Sequence, residues 1–272
     1  MEYLLIKVTN AVYNKYILYK CVIMYWKVIS MIIQNTAVNI RFSRIENIKR
    51  KYILNEEILK EKFNEAIILP IPDDAPMEVP RILIKSKGEH SQINIAPEAI
   101  TMQTIYTDEH KKNWRLCEEY ISSRVQDIFK LTDEFTCGNY HYIGVVTNLI
   151  WDTEMKDGNK VLFRNLMGKE ATNNLDDLVV KYTYVVDQKY YVNITLQSAK
   201  VYNGVNGNEA GAFADENLQT HTISIVLDIN DRYSFNQNKG YISNKEKFEE
   251  IITLTTDIVN NKLKNLVEKG EY

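Results

Sequence analysis

From Tyr190 to Gln197 the chain alternates without a break, setting Tyr190, Val192, Ile194 and Leu196 against Tyr191, Asn193, Thr195 and Gln197. Side chains on a strand point to opposite faces with a period of two, so this segment must have one dry side and one wet side. The same period returns in HTISIVLDIN, where Ile223, Ile225, Leu227 and Ile229 share a side. Strands of this kind build antiparallel sheets with one face on the core, and that face needs a cover. Two segments have the spacing to supply it. Trp114, Cys117, Ile121, Val125 and Ile128 form one stripe at steps of three and four, opposite Lys112, Arg115, Glu119 and Gln126. Phe248, Ile251, Ile252, Thr255, Ile258, Val259, Leu263 and Leu266 form another, with Ser243 and Glu246 at capping-box spacing and Gly270 where a C-terminal cap belongs. The expected fold class is therefore α+β, a largely antiparallel sheet covered by two long amphipathic helices.

The remaining elements follow in order. A strand is predicted over 36–45 and a helix over 56–67, capped by Asn55. Short strands follow at 80–86, 91–96 and 99–106, and Asp108 is the expected cap of the first long helix. Strand 140–151, a helical segment ending at Gly168, and strands at 178–186, 189–202 and 221–230 then lead to the last helix. Each half thus reads strand, helix, three strands, long helix. A pseudo-two-fold duplication is the economical interpretation, with halves 31–135 and 136–272 joined in one continuous domain. All five prolines fall between Pro70 and Pro97, so LPIPDDAPMEVP reads as a rigid, extended surface connector.

Residues 1–30 pose a separate question, because CVIMYWKVISMII is strongly apolar. Lys20 and Lys27 interrupt it, and a spanning helix needs about 20 predominantly apolar residues, so no membrane span is expected. It is either a buried or interfacial amphipathic segment or an N-terminal extension outside the fold. The second reading places the start of the fold near Met31, where MIIQNTAVNIRF runs directly into an alternating strand. The 33 basic and 36 acidic side chains nearly cancel, which gives no overall field for nucleic acid or an anionic membrane. Cys21, Cys117 and Cys137 are odd in number and scattered, as expected for a reducing cytoplasm.

Few constellations carry chemistry. The four histidines show no metal-ligand spacing, no Gly-x-Ser-x-Gly elbow is present, and Cys117 sits within an apolar stripe, so no catalytic residue, metal or cofactor is expected. RFSRIENIKRKY is basic but carries only Phe42 and Tyr52 as aromatics, so it reads as a solvated face. The acidic, glycine-rich loop NGVNGNEAGAFADEN lacks the cations a phosphate cradle needs. It is a flexible connection or a partner-binding loop, and in the second case Asn206, Glu209 and Phe213 are its candidate contacts. His141, Tyr142 and His221 are the candidates for a ligand pocket between sheet and helix.

The segments PRILIKSKGEHSQINIAPEAITMQTIYTDEHKKNWRLCEEYI, HYIGVVTNLIWD and ISIVLDIN, followed by a long last helix, resemble a sporadically distributed bacterial family of uncharacterised proteins over residues 31–270. The resemblance implies no catalytic residues. This chain has Val146, Thr147 and Asn148 where the family usually presents a more basic strand. The expected function is non-enzymatic, that of an intracellular protein-binding or regulatory protein from a mobile or defence-related gene cluster. Its partner is another protein, with a second copy of the chain as the homodimer option. The alternative is a small-ligand-binding or hydrolytic domain built around the histidine pocket.

Overall fold

The computed structural model describes residues 31–72, 74–153, 157–172, 174–202 and 214–272. The expectation that residues 1–30 stand outside the fold, and the candidates Asn206, Glu209 and Phe213, lie outside these residues.

Along the chain come β1 (Met31–Arg41), α1 (Ile48–Asn55), β2 (Ile67–Ile68), β3 (Ile82–Lys85), β4 (Ser91–Ala96), β5 (Ala99–Ile105) and α2 (Trp114–Thr136). Then follow β6 (Tyr142–Asp152), α3 (Gly158–Met167), β7 (Val179–Val186), β8 (Tyr190–Tyr202), β9 (Leu218–Asn230), α4 (Arg232–Gln237), α5 (Lys245–Asp257) and α6 (Leu263–Lys269). The strands form one nine-stranded sheet in the order β2-β3-β4-β5-β1-β6-β9-β8-β7. Every pairing is antiparallel. The α+β expectation with a largely antiparallel sheet holds.

Alternation dictates the core. Ile40, Ile93, Ile95, Ile100, Ile143, Val145, Val192, Ile194, Ile225, Leu227 and Ile229 all point to one side and are essentially inaccessible to water. At roughly 1.5 to 3 kcal/mol for each buried aliphatic side chain, this face is the main source of stability. The α2 stripe of Trp114, Cys117, Ile121, Val125 and Ile128 is buried as predicted, and so are Phe248, Ile251, Ile252 and Ile258. α5 approaches β6, β9 and α2. Its Thr256 Oγ1 accepts the Trp114 indole N–H at 2.7 Å, and Phe248 meets Phe129 edge-on at 5.8 Å.

Several helix boundaries differ from expectation. The basic run before Asn55 is helical: Ile48 and Tyr52, one turn apart, bury a narrow stripe among the cations, and only a short 3-10 turn, Glu56–Leu59, follows. Asn113, not Asp108, caps α2, its Oδ1 accepting the Arg115 N–H at 3.1 Å. Asn244, not Ser243, caps α5, with Lys247 N–H at 3.2 Å. The last helix contains a π turn at Ile258–Lys262 before α6, and Gly270 closes it in the left-handed region at φ 74°.

Candidate functional site

The opposite face of the same strands carries amides and hydroxyls. The strand registers line them up in rows across the sheet. One row runs Tyr191, Asn230, Gly144, Asn39, Thr101, Asn94. The next runs Thr183, Asn193, Asp228, Val146, Ala37, Gln103, Gln92. A third runs Thr195, Val226, Asn148, Asn35, Ile105. Most of these residues are half-buried by their neighbours, while Gln103, Ile105 and Thr183 stand exposed and Gly144 is buried.

Hydrogen bonds hold these side chains in place. The Thr183 hydroxyl donates to Asn193 Oδ1 at 2.9 Å, and Asn193 Nδ2 donates to Asp228 Oδ2 at 3.2 Å. Asn230 Nδ2 donates to the other Asp228 oxygen at 2.9 Å. At the central pair of strands Asn148 Nδ2 reaches Asn35 Oδ1 at 2.6 Å, and on the first-half side Thr101 Oγ1 donates to Asn39 Oδ1 at 2.8 Å. A surface tied down this way loses little side-chain entropy when something docks on it. Gly144 sits inside the first row, where a Cβ would lie 3.1 Å from that of Asn230, so the missing side chain makes room for the Asn230 amide.

Two structures border the face along one end. α4 brings Phe235 against His141 and Tyr142, at ring distances of 5.2 and 5.7 Å, and Tyr233 against Tyr191 at 5.3 Å. The Arg232 guanidinium lies 5.3 Å from the Tyr142 ring centre. In the other half the connector folds over Arg81, which is 1 % exposed and donates to the carbonyls of Val79, Ala75 and Pro76. The connector backbone thus supplies the acceptors for a buried cation, one of them from Pro76.

Asp231, fully buried, anchors α4. Its Oδ1 accepts the Ile143 N–H at 2.7 Å, and its Oδ2 accepts the Tyr241 hydroxyl at 2.7 Å and the Ser243 hydroxyl. This explains why Ser243 is lost as a helix cap. Burial pushes the Asp231 carboxyl above its usual range, and the three bonds pull it back only in part.

His141 and Tyr142 therefore meet, but His221 does not join them. The register pairs Thr222 with Asp152, at the far end of β6 from Tyr142, which separates the two histidines by about 40 Å of strand. The His221 carbonyl accepts the Thr153 hydroxyl at 2.6 Å, while its buried Nδ1 has no bonding partner among the described residues. His141 Nε2 bonds to Ser43 Oγ at 2.9 Å. One pocket lined by all three is corrected to two distant positions. Burial pushes the Cys117 thiol up to about 12, and it donates to the His110 carbonyl, which disfavours the thiolate.

A groove of about 530 Å³ lies elsewhere, between the β7–β8 turn and α5, lined by Asp187, Tyr190, Glu246, Glu249, Glu250 and Leu254 among others. Burial alone would raise the Glu250 carboxyl. Bonds from Lys247 and Tyr190 hold it below its usual range instead. Among the described residues no group of three or more His, Cys, Asp or Glu is placed to hold a metal ion. Among them, too, no helix is long and apolar enough to cross a membrane.

No family model matches the chain, and no curated protein matches it. The amide rows carry the case for a site, and sequence reasoning picked up only part of them. It marked the wet side of β8, yet Asn35, Asn39, Gln92, Asn94 and Gln103 follow the same alternation and share that face.

Proposed function

We propose that the chain is a non-enzymatic binding protein that engages a protein partner across the open face of its sheet. The observation behind this reading is a polar, partly hydrogen-bonded face spanning β4, β5, β1, β6, β9 and β8, its amides interrupted near the centre by Gly144, Val146 and Ala37. At about 4.8 Å between strands and 6.8 Å between successive residues on one face, the rows cover on the order of 600 Å². That corresponds to one side of an interface at the lower end of the standard range, about 1,200 Å² in total. The rows contain few charges, so the counterion release that drives nucleic-acid binding has little to work on, and a protein partner fits better. The wide separation of His141 and His221 removes support from the ligand-pocket alternative.

We further infer that the body is a duplicated unit in which a long helix covers each half-sheet. Support comes from the strand order, which mirrors about the β1–β6 pair as β5-β1 and β6-β9, and from the sequence of elements, which agrees in the two halves apart from the two-residue β2 in the first and the short α4 in the second.

The test is affinity capture from native lysate with the wild type, with Asn193→Arg, and with Glu249→Ala on the helical side as a control. A stoichiometric partner that the Asn193 variant loses and the control keeps, at unchanged melting temperature, is the expected result. A partner retained by the Asn193 variant, or none at all, overturns the reading.

A further inference from the structure

The two edges of the sheet are built differently. At one end β2 is only two residues long, and Pro70 and Pro72 follow it, both devices that blunt an edge. At the other end β7 runs eight residues with no proline and no bulge, and its only charge is Lys181. Among the described residues, β8 alone bonds to the β7 backbone, apart from the Val186 carbonyl that closes the turn with the Lys189 N–H. Val179 and Val185 stand 51 % and 46 % exposed on the open-face side of this edge. On the other side Tyr182, Tyr184 and Tyr272 form a stack, with ring centres 6.1 and 4.1 Å apart.

We propose that β7 is the self-association edge of this protein, pairing antiparallel with β7 of a second copy in a register centred on Tyr182. The occupant follows from self-complementarity. On an antiparallel edge only alternate residues turn their N–H and C=O outward, so a two-fold axis perpendicular to the sheet must pass through a residue, not between two. Centring on Lys181 sets that lysine against its own copy, which like-charge repulsion disfavours. Centring on Thr183 places Lys181 opposite Val185 and strands Val179 beyond the edge, opposite Asp187. Centring on Tyr182 sets Val179 against Val185 twice, Val180 against Tyr184 twice and Lys181 against Thr183 twice. The exposed valines cover one another, and Tyr182 meets Tyr182 of the second copy, which extends the tyrosine stack across the junction. Aromatic and β-branched pairs of this sort are the favourable cross-strand pairs.

The axis leaves both open faces on the same side, so the two sheets merge and their amide surfaces lie side by side. A junction made by one strand pair is smaller than a standard interface, so the dimer is weak and concentration-dependent.

Sedimentation of the full chain from about 1 to 200 µM tests this, a range that brackets an interface of that size. The expected result is a reversible dimer. Val179→Lys and Val185→Glu each weaken it by at least about tenfold, because each change acts twice per dimer. Combining them sets opposite charges face to face on both sides of the axis and restores association. A strict monomer overturns the proposal, as does a dimer that neither single change weakens. Tighter association of Val185→Glu alone overturns it too, because that result belongs to the Thr183 register, where Lys181 faces position 185. The readout does not involve the open-face partner, so this proposal and the proposed function fail separately.

Discussion

The two faces of one strand behave as two different materials. In β8, Val192, Ile194 and Leu196 are fully buried, while Tyr191, Asn193 and Thr195, each one residue away, are half open to solvent, and Asn193 is tied sideways by hydrogen bonds to Thr183 and Asp228. The dry face gains free energy by leaving water, so its cost of alteration scales with atoms removed. Side chains on the wet face have water as an alternative partner, so their mutual bonds contribute little net stability. Stability therefore resides on one side of the sheet, and the surface proposed for recognition lies on the other.

The sharpest way to break that contrast is Leu227→Ala on the dry face, which is expected to cost about 3 to 4 kcal/mol in denaturant unfolding through lost burial plus a cavity. Next comes Asp231→Ala, at about 2 kcal/mol, because it leaves the Ile143 N–H buried without an acceptor. Asp231→Asn keeps an acceptor, and comparing it with the wild type isolates the charge. The raised folded value of Asp231 means that the native state takes up its proton more readily than the unfolded chain. That contribution is full below the unfolded value of about 3.9 and is lost as pH rises through the folded one. Wild-type stability relative to Asp231→Asn should therefore rise on acidification from neutral pH, and a flat difference across the titration would show that the site is not under this electrostatic tension. The smallest effect is expected on the wet face, where Asn193→Ala should change unfolding free energy by no more than about 0.5 kcal/mol. A loss of several kcal/mol there would mean that the amide rows belong to the scaffold.

Legibility in the sequence followed the same division. Strands β8 and β9 and the buried stripes of α2 and α5 were readable because burial imposes a period on side-chain polarity. Helix starts were less so: Asp108, Asn113, Ser243 and Asn244 are all competent caps, and tertiary demand chose among them when Asp231 took the Ser243 hydroxyl. α1 was hidden because only Ile48 and Tyr52 of its four apolar residues are buried, Ile53 and Leu54 being exposed, so no clean stripe shows in the cationic run. The open face went largely unread for a different reason. Each strand contributes only two to four polar residues, and nothing local reveals that Asn148 lies beside Asn35 or Asp228 beside Asn193.

The β1–β6 pair in the middle of the sheet has a consequence for biosynthesis. Val146 sits opposite Ala37, a contact that spans nearly half the chain. Local hairpins such as β4–β5 can close as soon as they leave the ribosome, and β1 can then dock on β5. Its other flank stays bare until β6 emerges about fifty residues later, roughly 2 to 10 s at ordinary elongation rates. During that interval the nascent chain carries an unsatisfied, largely uncharged strand, so slowed translation between β5 and β6 should raise misassembly more than slowing anywhere else.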